Sequence, residues 1–320
     1  MTLKTAKKVL VSAALGVAAV GLMAGSAAAE WKPKGPISLM IGFAAGGGTD
    51  TQARLIAAEL EKRKGWKVIP SNVAGRGGAL MARKLKGMPN DGTAIGMAVT
   101  ESFGYNMLAS KNPGYTANDF TYITTTTGSQ MGLVVKASKG WKTWDDFLKA
   151  ARARTLKFGG MSQKHADLNY LLEQKYGVKF NTVVLRGGRA VMNALNAGDI
   201  DIGYGAGIQA KAVKSGDMIN LVSGVGKRIP YSPNAPTLIE LGLPYDIGAK
   251  FIVVGPKGMS ADARNTLAAA FAEVISDKNS EVFKFVTARY TGPDLISGKA
   301  LDDFIQNGIK EAKTLMSVTN

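Results

Sequence analysis

A run of glycines between an apolar segment and a helical pattern is the clearest candidate for binding chemistry in this chain. Gly46, Gly47 and Gly48 follow an apolar segment at 37–43, and apolar residues recur at helical spacing from Ala53 onward. A glycine loop at the start of a helix presents backbone N–H groups that bind anions. The spacing matches neither a P-loop nor a dinucleotide-binding fingerprint. An anion site and a plain strand-to-helix turn therefore both remain open.

The two polar residues directly after the glycines, Thr49 and Asp50, each have a possible structural role and a possible role in ligand binding. Thr49 and Gln52 have the spacing of a capping box, so we expect Thr49 to cap the helix first and to contact a ligand second. Asp50 has two candidate roles, which are to fix the loop or to receive the ammonium group of an amino-acid ligand. We favour the role in the loop.

Five side chains in the second half of the chain are further candidates for ligand contacts. Ser162 and Gln163 lie at a predicted helix start, where donation to a ligand and ordinary capping have equal support. His165 suits packing within that helix better than direct ligand contact. Arg186 suits either a charge-assisted bond to a carboxylate or a solvated position at the rim of a cleft. Tyr204 ends a predicted strand, where it can line the cleft.

The composition excludes several classes of catalytic and metal site. The 320 residues contain no cysteine and one histidine, which rules out disulfides, thiolate chemistry and any zinc site with two histidines. Ser162 and His165 are three residues apart, and no G-x-S-x-G nucleophile elbow is present. Asp199 and Asp201 fit a turn followed by a strand. We therefore expect no catalytic residue, no metal and no cofactor.

The first 29 residues have the pattern of an export signal. A basic start with three lysines precedes an apolar stretch at 9–24, and the three alanines at 27–29 fit a cleavage site. Glu30 is then the first mature residue. No later segment is long and apolar enough to span a bilayer. The sequence therefore predicts a periplasmic protein of 291 residues.

The chain is strongly basic, with a formal net charge of +16, or +13 once the three leader lysines are removed. A basic surface suits the steering of small anions into a cleft or contact with an anionic membrane, and a solvated lysine-rich surface explains the charge as well. The basic residues are spread evenly, and no aromatic residues interleave with the longest run, at 62–64. These features argue against nucleic acid as a partner.

The rest of the chain alternates short strands, glycine loops and helices, which predicts α/β architecture with mostly parallel sheets. Ligands in such sheets bind beyond the carboxyl ends of the strands, where the loops at 44–49, 71–78 and 100–102 are expected. The same order repeats after residue 128, where Thr143 and Asp146 have capping-box spacing at the start of a further helix.

Two crossovers are predicted between the repeated units. A threonine-rich strand near 122–135 carries the chain into the second unit, and a strand near 245–255 carries it back. We expect residues 30–127 and 250–320 to form one lobe and residues 128–249 to form the other, with a hinge at the crossovers. The region after 261 is predicted to be helical.

Five motifs, in order along nearly all of the mature chain, resemble the Bug family, the extracytoplasmic solute receptors of tripartite tricarboxylate transporters. They lie at 43–54 (including Gly46-Gly47-Gly48-Thr49-Asp50), 72–78, 91–92, 118–120 and 236–242. The resemblance implies a two-lobed Venus-flytrap receptor, whose carboxylate ligand is held between two loops with ordered waters. It also implies that the partners are membrane transporter subunits, and we expect a monomer.

The predicted ligand-binding residues are Phe43, Ala45, Gly46, Gly47, Gly48, Thr49, Asp50, Thr100, Ser162, Gln163, His165, Arg186, Gly187, Tyr204 and Ala206. The chain departs from the family pattern at two places. The stretch 159–165 keeps the histidine but lacks a second loop glycine, and Leu185-Arg186-Gly187 replaces the usual Tyr-Lys-Gly. The ligand within the carboxylate class therefore stays open. The alternatives to transport are a sensor that presents the ligand to a membrane signalling protein and, less favoured, an enzyme acting on a small acid.

Overall fold

The computed structural model describes residues 31–319. The chain divides into a short unit, Met1–Lys32, and a main unit, Pro33–Asn320. Only residues 31 and 32 of the first unit are described, so the predicted export signal and its cleavage site lie outside the described residues. Everything below concerns the main unit.

The first sheet contains five strands in the order β2-β1-β3-β10-β4. Strand β1, between β2 and β3, is almost wholly buried, as its unbroken apolar sequence predicts, and it runs parallel to both neighbours. Strand β10 comes from the far end of the chain and runs antiparallel to β3 and β4. The strands are β1 (Ile37–Ile41), β2 (Val68–Asn72), β3 (Ala94–Val99), β4 (Phe120–Gly128) and β10 (Lys250–Pro256).

The second sheet repeats this arrangement in the order β7-β6-β8-β5-β9. Strand β6 is parallel to β7 and β8, whereas β5 runs antiparallel to β8 and β9. Each sheet thus has four strands in one direction and one inserted strand in the other. The strands are β5 (Gly132–Lys136), β6 (Leu156–Gly160), β7 (Phe180–Val184), β8 (Ile202–Gly205) and β9 (Met218–Ser223).

Helices flank both sheets, which gives a two-lobed α/β fold. They are α1 (Gly48–Lys64), α2 (Ala79–Leu85), α3 (Tyr105–Leu108), α4 (Trp144–Ala153), α5 (Gln163–Tyr176), α6 (Gly188–Ala197), α7 (Ala210–Lys214), α8 (Ala261–Ser276), α9 (Glu281–Arg289) and α10 (Gly298–Met316). The predicted capping box of α4 is confirmed, because Thr143 accepts a hydrogen bond from Asp146 N while Asp146 accepts one from Thr143 N.

An aromatic cluster fills the core beside each sheet. Phe103 packs edge-to-face against Phe120 and Tyr122 in the first lobe. In the second lobe Phe158 stacks on Tyr204, with ring centroids 5.1 Å apart. Because each lobe buries its own core, the loops at the carboxyl ends of the strands have rigid supports.

The alternating pattern predicted most of these elements, and the two predicted crossover segments contain strands of the first sheet. The chain leaves the first sheet after β4 and returns to it through β10. Strand β9 was not predicted, because its six residues have no strict alternation of buried and exposed positions. Gly159 and Gly160 were assigned to a loop but continue β6, where they pair with Val183 and Val184.

Candidate functional site

The start of α1 presents backbone N–H groups that have no acceptor within the helix. Thr51 N is the first amide to bond within the helix, to Gly47 O at 2.9 Å, so the N–H groups of Gly48, Thr49 and Asp50 have no acceptor in the helix. Gly48 and Thr49 line a cavity between the two lobes. Free N–H groups and the positive end of the helix dipole together favour an anion at this position.

Asp50 fixes the glycine loop from below, as favoured from the sequence. Its carboxylate accepts hydrogen bonds at 2.9 Å from Gly46 N, Arg54 Nε and Asn72 Nδ2. The side chain is buried and does not line the cavity. Gly46 is therefore part of the support, since its N–H is used by Asp50 and its carbonyl accepts from Arg189 Nε at 3.0 Å. The expectation that Gly46 donates to the ligand does not fit this arrangement.

The predicted capping role of Thr49 is wrong. The residue that precedes the helix is Gly47, whose φ of −77° and ψ of 174° are extended, and no side chain caps this end. Thr49 lies inside the first turn because the helix begins two residues earlier than expected. The side chain of Gln52 also faces away from the cap and accepts a hydrogen bond from the Thr126 hydroxyl.

The cavity above this loop, here called the glycine-loop cavity, has a volume of about 90 Å³. Both lobes line it, and its walls are largely apolar. The lining residues are Phe43, Ala44, Gly47, Gly48, Thr49, Gly77, Val99, Glu101, Asn106, Ser129, Met131, Met161, Ser162, Lys164, His165, Arg186, Gly187, Gly188, Arg189, Ala206, Ile208, Ile247, Ala249, Phe251 and Tyr290. An apolar cavity with a few convergent polar groups is typical of a small-molecule site.

His165 lines this cavity as a neutral imidazole. Its Nδ1 accepts a hydrogen bond from Met161 N at 3.0 Å, and its ring stacks on Tyr204 with centroids 4.3 Å apart. Burial, assisted by the neighbouring charge of Lys164, lowers the pKa of His165 to about 3. The histidine therefore adds no positive charge to the site at neutral pH. Its ring packs on Tyr204, and it also borders the cavity.

Tyr204 does not line the cleft as expected. It is fully buried in the core beneath His165, and its hydroxyl donates to Asn169 Oδ1 at 2.8 Å. The sequence placed it correctly at the end of a strand, but its side chain faces the core side of the sheet. Burial raises the pKa of Tyr204 well above its usual value.

A second cavity adjoins the first and has a volume of about 360 Å³. We call it the arginine cavity, because Arg76 and Arg186 line it. The other lining residues are Phe43, Gly75, Gly77, Asn106, Ala109, Ser110, Met161, Ser162, Gln163, Val184, Leu185 and Gly187. Phe43, Met161 and Arg186 border both cavities, so the two spaces are neighbours.

The predicted residues of the second lobe fall around these two cavities. Ser162 precedes α5, accepts no capping hydrogen bond and lines both cavities, as do Arg186 and Gly187. Gln163 lines only the arginine cavity, and its amide donates to Asp167 at 2.7 Å. Ala206 lines the glycine-loop cavity.

Besides Gly46, Asp50 and Tyr204, two further predicted residues, Thr100 and Ala45, lie outside both sets of lining residues. Thr100 precedes the lining residue Glu101 in the chain. Its hydroxyl donates to the Glu101 carboxylate at 3.2 Å and accepts from Lys250 N at 3.2 Å. Ala45 is exposed at the outer turn of the glycine loop. Both were chosen because their loops end strands of the first sheet, and loop position alone does not decide which side chain faces inward.

Several lining residues were not predicted from the sequence. Glu101 and Lys164 form an ion pair at 3.2 Å between the lobes, and each was one residue away from a predicted contact. Tyr290 comes from the end of α9, and no local pattern connects it with the glycine loop. A side chain added at Gly48 would overlap the Tyr290 hydroxyl, so this position requires glycine for close packing.

Several polar contacts join the lobes around the cavities. Besides the Glu101–Lys164 pair, Arg189 Nε donates to Gly46 O at 3.0 Å and the Tyr105 hydroxyl donates to Asp167 at 2.5 Å. Groups from opposite lobes thus enclose the glycine-loop cavity. Such enclosure removes a bound ligand from water, which strengthens its polar contacts.

Neither a membrane-spanning helix nor a metal-binding cluster is found in residues 31–319. No helix there has the length and apolar character needed to cross a bilayer. No group of three or more potential metal ligands converges within the same residues.

Comparison with known proteins decides the family. The model of the tripartite tricarboxylate transporter family receptor matches residues 52–320. The chain belongs to this family. The resemblance seen in the motifs is thereby confirmed.

Relatives and solved structures agree with this assignment. A UPF0065 protein from the gbd 5' region of Cupriavidus necator is 31% identical over 275 residues, covering 84% of this chain and 82% of that protein. MatC of Rhodopseudomonas palustris, solved with malate, has a TM-score of 0.78 at 23% identity and covers 89% of this chain and 99% of its own. Rpa4515 of R. palustris, solved with adipate, has a TM-score of 0.80 at 23% identity. The match covers 90% of this chain and 98% of Rpa4515. These structures show that the receptor has the fold of periplasmic binding proteins.

Proposed function

We propose that this receptor captures a small carboxylate outside the cytoplasm and delivers it to a tripartite tricarboxylate-type membrane transporter. The observation that carries the proposal is the start of α1, where the N–H groups of Gly48 and Thr49 face an enclosed, largely apolar cavity. An anion accepts hydrogen bonds from such groups without a charged side chain. Solved relatives with malate and adipate support a carboxylate as the ligand.

Residues from both lobes take part in the proposed site. Gly47, Gly48 and Thr49 hold one carboxylate, while Ser162 and Arg186 approach from the second lobe. We propose lobe boundaries at 30–127 with 250–320 and at 128–249, so that the two crossover segments act as the hinge. The ligand is released when the lobes separate and the contacts between them break.

Binding without chemical change is the second part of the proposal. Neutral His165 donates no proton at neutral pH, and its Nδ1 is occupied by Met161 N. Glu101 is paired with Lys164. These groups position and enclose a ligand, and none is arranged to activate a nucleophile.

The proposal is tested by calorimetry with a panel of mono-, di- and tricarboxylates, followed by mass spectrometry of the recovered ligand. We expect saturable binding of at least one carboxylate, which is recovered unchanged. Uptake of the same labelled compound should fall when the receptor gene is deleted and recover on complementation. Steady product formation, or uptake that does not depend on the receptor, would contradict the proposal. Intact-mass analysis of periplasmic extract should show a chain that begins near Glu30.

A further inference from the structure

Arg76 has an unusual backbone for a charged residue. Its φ is 48°, and in the described chain it is the single non-glycine residue with positive φ. Residues other than glycine adopt this region at an energetic cost, and such positions are concentrated at functional sites. The glycines on both sides, Gly75 and Gly77, also have positive φ, so the loop presents the Arg76 side chain in a fixed direction. That side chain lines the arginine cavity.

Neither arginine of this cavity has a protein partner. Within residues 31–319, Arg76 and Arg186 make no hydrogen bond or ion pair, although most arginines of the chain that line no cavity are paired, such as Arg63 with Glu59 and Asp277. None of the residues that line the cavity is acidic. Two solvent-exposed guanidinium groups therefore border one space from opposite lobes, and no acidic side chain among its lining residues neutralises them. Guanidinium groups suit carboxylate, sulfonate and phosphonate oxygens in two-pronged hydrogen bonds.

The volumes show how the two cavities fit a single ligand. The glycine-loop cavity, at about 90 Å³, is small for a ligand site, since such sites measure roughly 300–1,000 Å³. The arginine cavity is about 360 Å³ and shares Phe43, Met161 and Arg186 with it. A ligand longer than a few atoms, held at the start of α1, can extend past Phe43 and Met161 into the arginine cavity.

We propose that the arginine cavity is a second anion subsite, in which Arg76 and Arg186 bind the distal anionic group of an elongated dianion. This inference rests on the proposed function, since it places the first carboxylate at Gly48 and Thr49. It makes Arg76 a residue that determines specificity for dianions over monoanions. The apolar side chains of Phe43 and Met161 contact the middle of the ligand.

The test measures affinity for matched pairs of ligands. Wild-type receptor is titrated with straight-chain dicarboxylates of four to eight carbons and with the monocarboxylates of equal length. We expect the longer dicarboxylates to bind at least tenfold more tightly than their monocarboxylate partners. Arg76→Ala and Arg186→Ala should each reduce this preference about threefold to tenfold, and the double variant should abolish it. Arg76→Lys should keep part of the preference, because the charge remains. Monocarboxylate affinity should fall less than dicarboxylate affinity in the Arg76 variants, because a monocarboxylate has no distal group for Arg76 to bind.

Arg152→Ala is the matched control. Arg152 is exposed at the end of α4, lines neither cavity and carries the same charge, so this variant should keep the wild-type preference. Melting temperatures of all variants establish that they are folded. Terminal sulfonates and phosphonates of equal length then identify which anion the pair of arginines prefers.

Three results would overturn the inference. Equal wild-type affinity for mono- and dicarboxylates would remove the second subsite while leaving the proposed function intact. Equal loss for both ligand types in Arg76→Ala, confined to the association rate, would show long-range steering instead of a contact. Failure of the wild type to bind any carboxylate would refute the proposed function itself.

Discussion

The buried state of His165 makes the stability of the receptor depend on pH in a specific range. The imidazole has a pKa of about 3 in the fold, against 6.5 for an unperturbed side chain. Because the folded pKa is lowered, the unfolded chain binds a proton between these values while the folded chain does not. Stability is therefore highest above pH 6.5 and falls as the pH drops toward 3.

The size of the effect follows from the two pKa values. Protonation of the unfolded chain lowers the free energy of unfolding by about 1 kcal/mol at pH 5.5 and by about 3 kcal/mol at pH 4.5, relative to neutral pH. His165 is the single histidine of the chain, so no other histidine contributes in this range. Such losses are a large fraction of the roughly 5–15 kcal/mol that stabilises most domains.

The assay is urea unfolding at pH 7.5, 6.5, 5.5 and 4.5 for wild type and His165→Asn. An asparagine Oδ1 can replace Nδ1 as the acceptor for Met161 N, so the variant keeps this hydrogen bond but does not titrate. We expect the variant to be less stable at pH 7.5, since it loses the stacking on Tyr204. Its stability should, however, change by about 3 kcal/mol less than that of wild type between pH 7.5 and 4.5. Parallel pH profiles for the two proteins would refute the assignment of a buried, neutral histidine.

Three substitutions near the start of α1 test the packing of the site. Gly48→Ala should weaken carboxylate binding at least tenfold, because the new methyl group overlaps the Tyr290 hydroxyl, and adding Tyr290→Phe should restore part of the affinity; full wild-type affinity in the single variant would contradict this contact. Gly47→Val should fold, since its backbone is extended and an added Cβ meets only Ala44 O at 3.1 Å, but should bind no ligand in calorimetry because a branched side chain at this lining position hinders close approach of the anion; retained binding would place the site elsewhere. Thr49→Ala should lower the free energy of unfolding by less than about 0.5 kcal/mol, whereas the control Ser280→Ala, which removes a real helix cap, should cost about 1 kcal/mol in thermal melts; equal costs would restore Thr49 as a cap.

Local patterns predicted the elements of the fold because strands and helices here follow their own periodicity. The helix after the glycines and the cap at Thr143 depend on neighbours within a few residues, and both were found near their predicted positions. Strand β9 was missed, since it is defined mainly by its pairing with β5. The crossovers were predictable because each contains a strand at the point of the chain where one repeated unit ends and the other begins.

The site itself was predictable only in part. The loops that line it were identified, because strand ends of α/β sheets meet at one edge. The direction of each side chain was not, as Thr100 and Tyr204 show, because one residue of shift in a strand reverses the face. Tyr290 reaches Gly48 from more than two hundred residues away in the chain, and no sequence pattern carries such a contact.

The most direct test of carboxylate capture at the start of α1 is an NMR titration of ¹⁵N-labelled receptor with a dicarboxylate that binds in calorimetry. We predict that the amide protons of Gly48 and Thr49 shift downfield on saturation, since each donates a hydrogen bond to the ligand. Gly65, at the other end of the same helix, should remain unchanged and serves as the internal control. Saturable binding that leaves the Gly48 and Thr49 resonances in place would contradict the account.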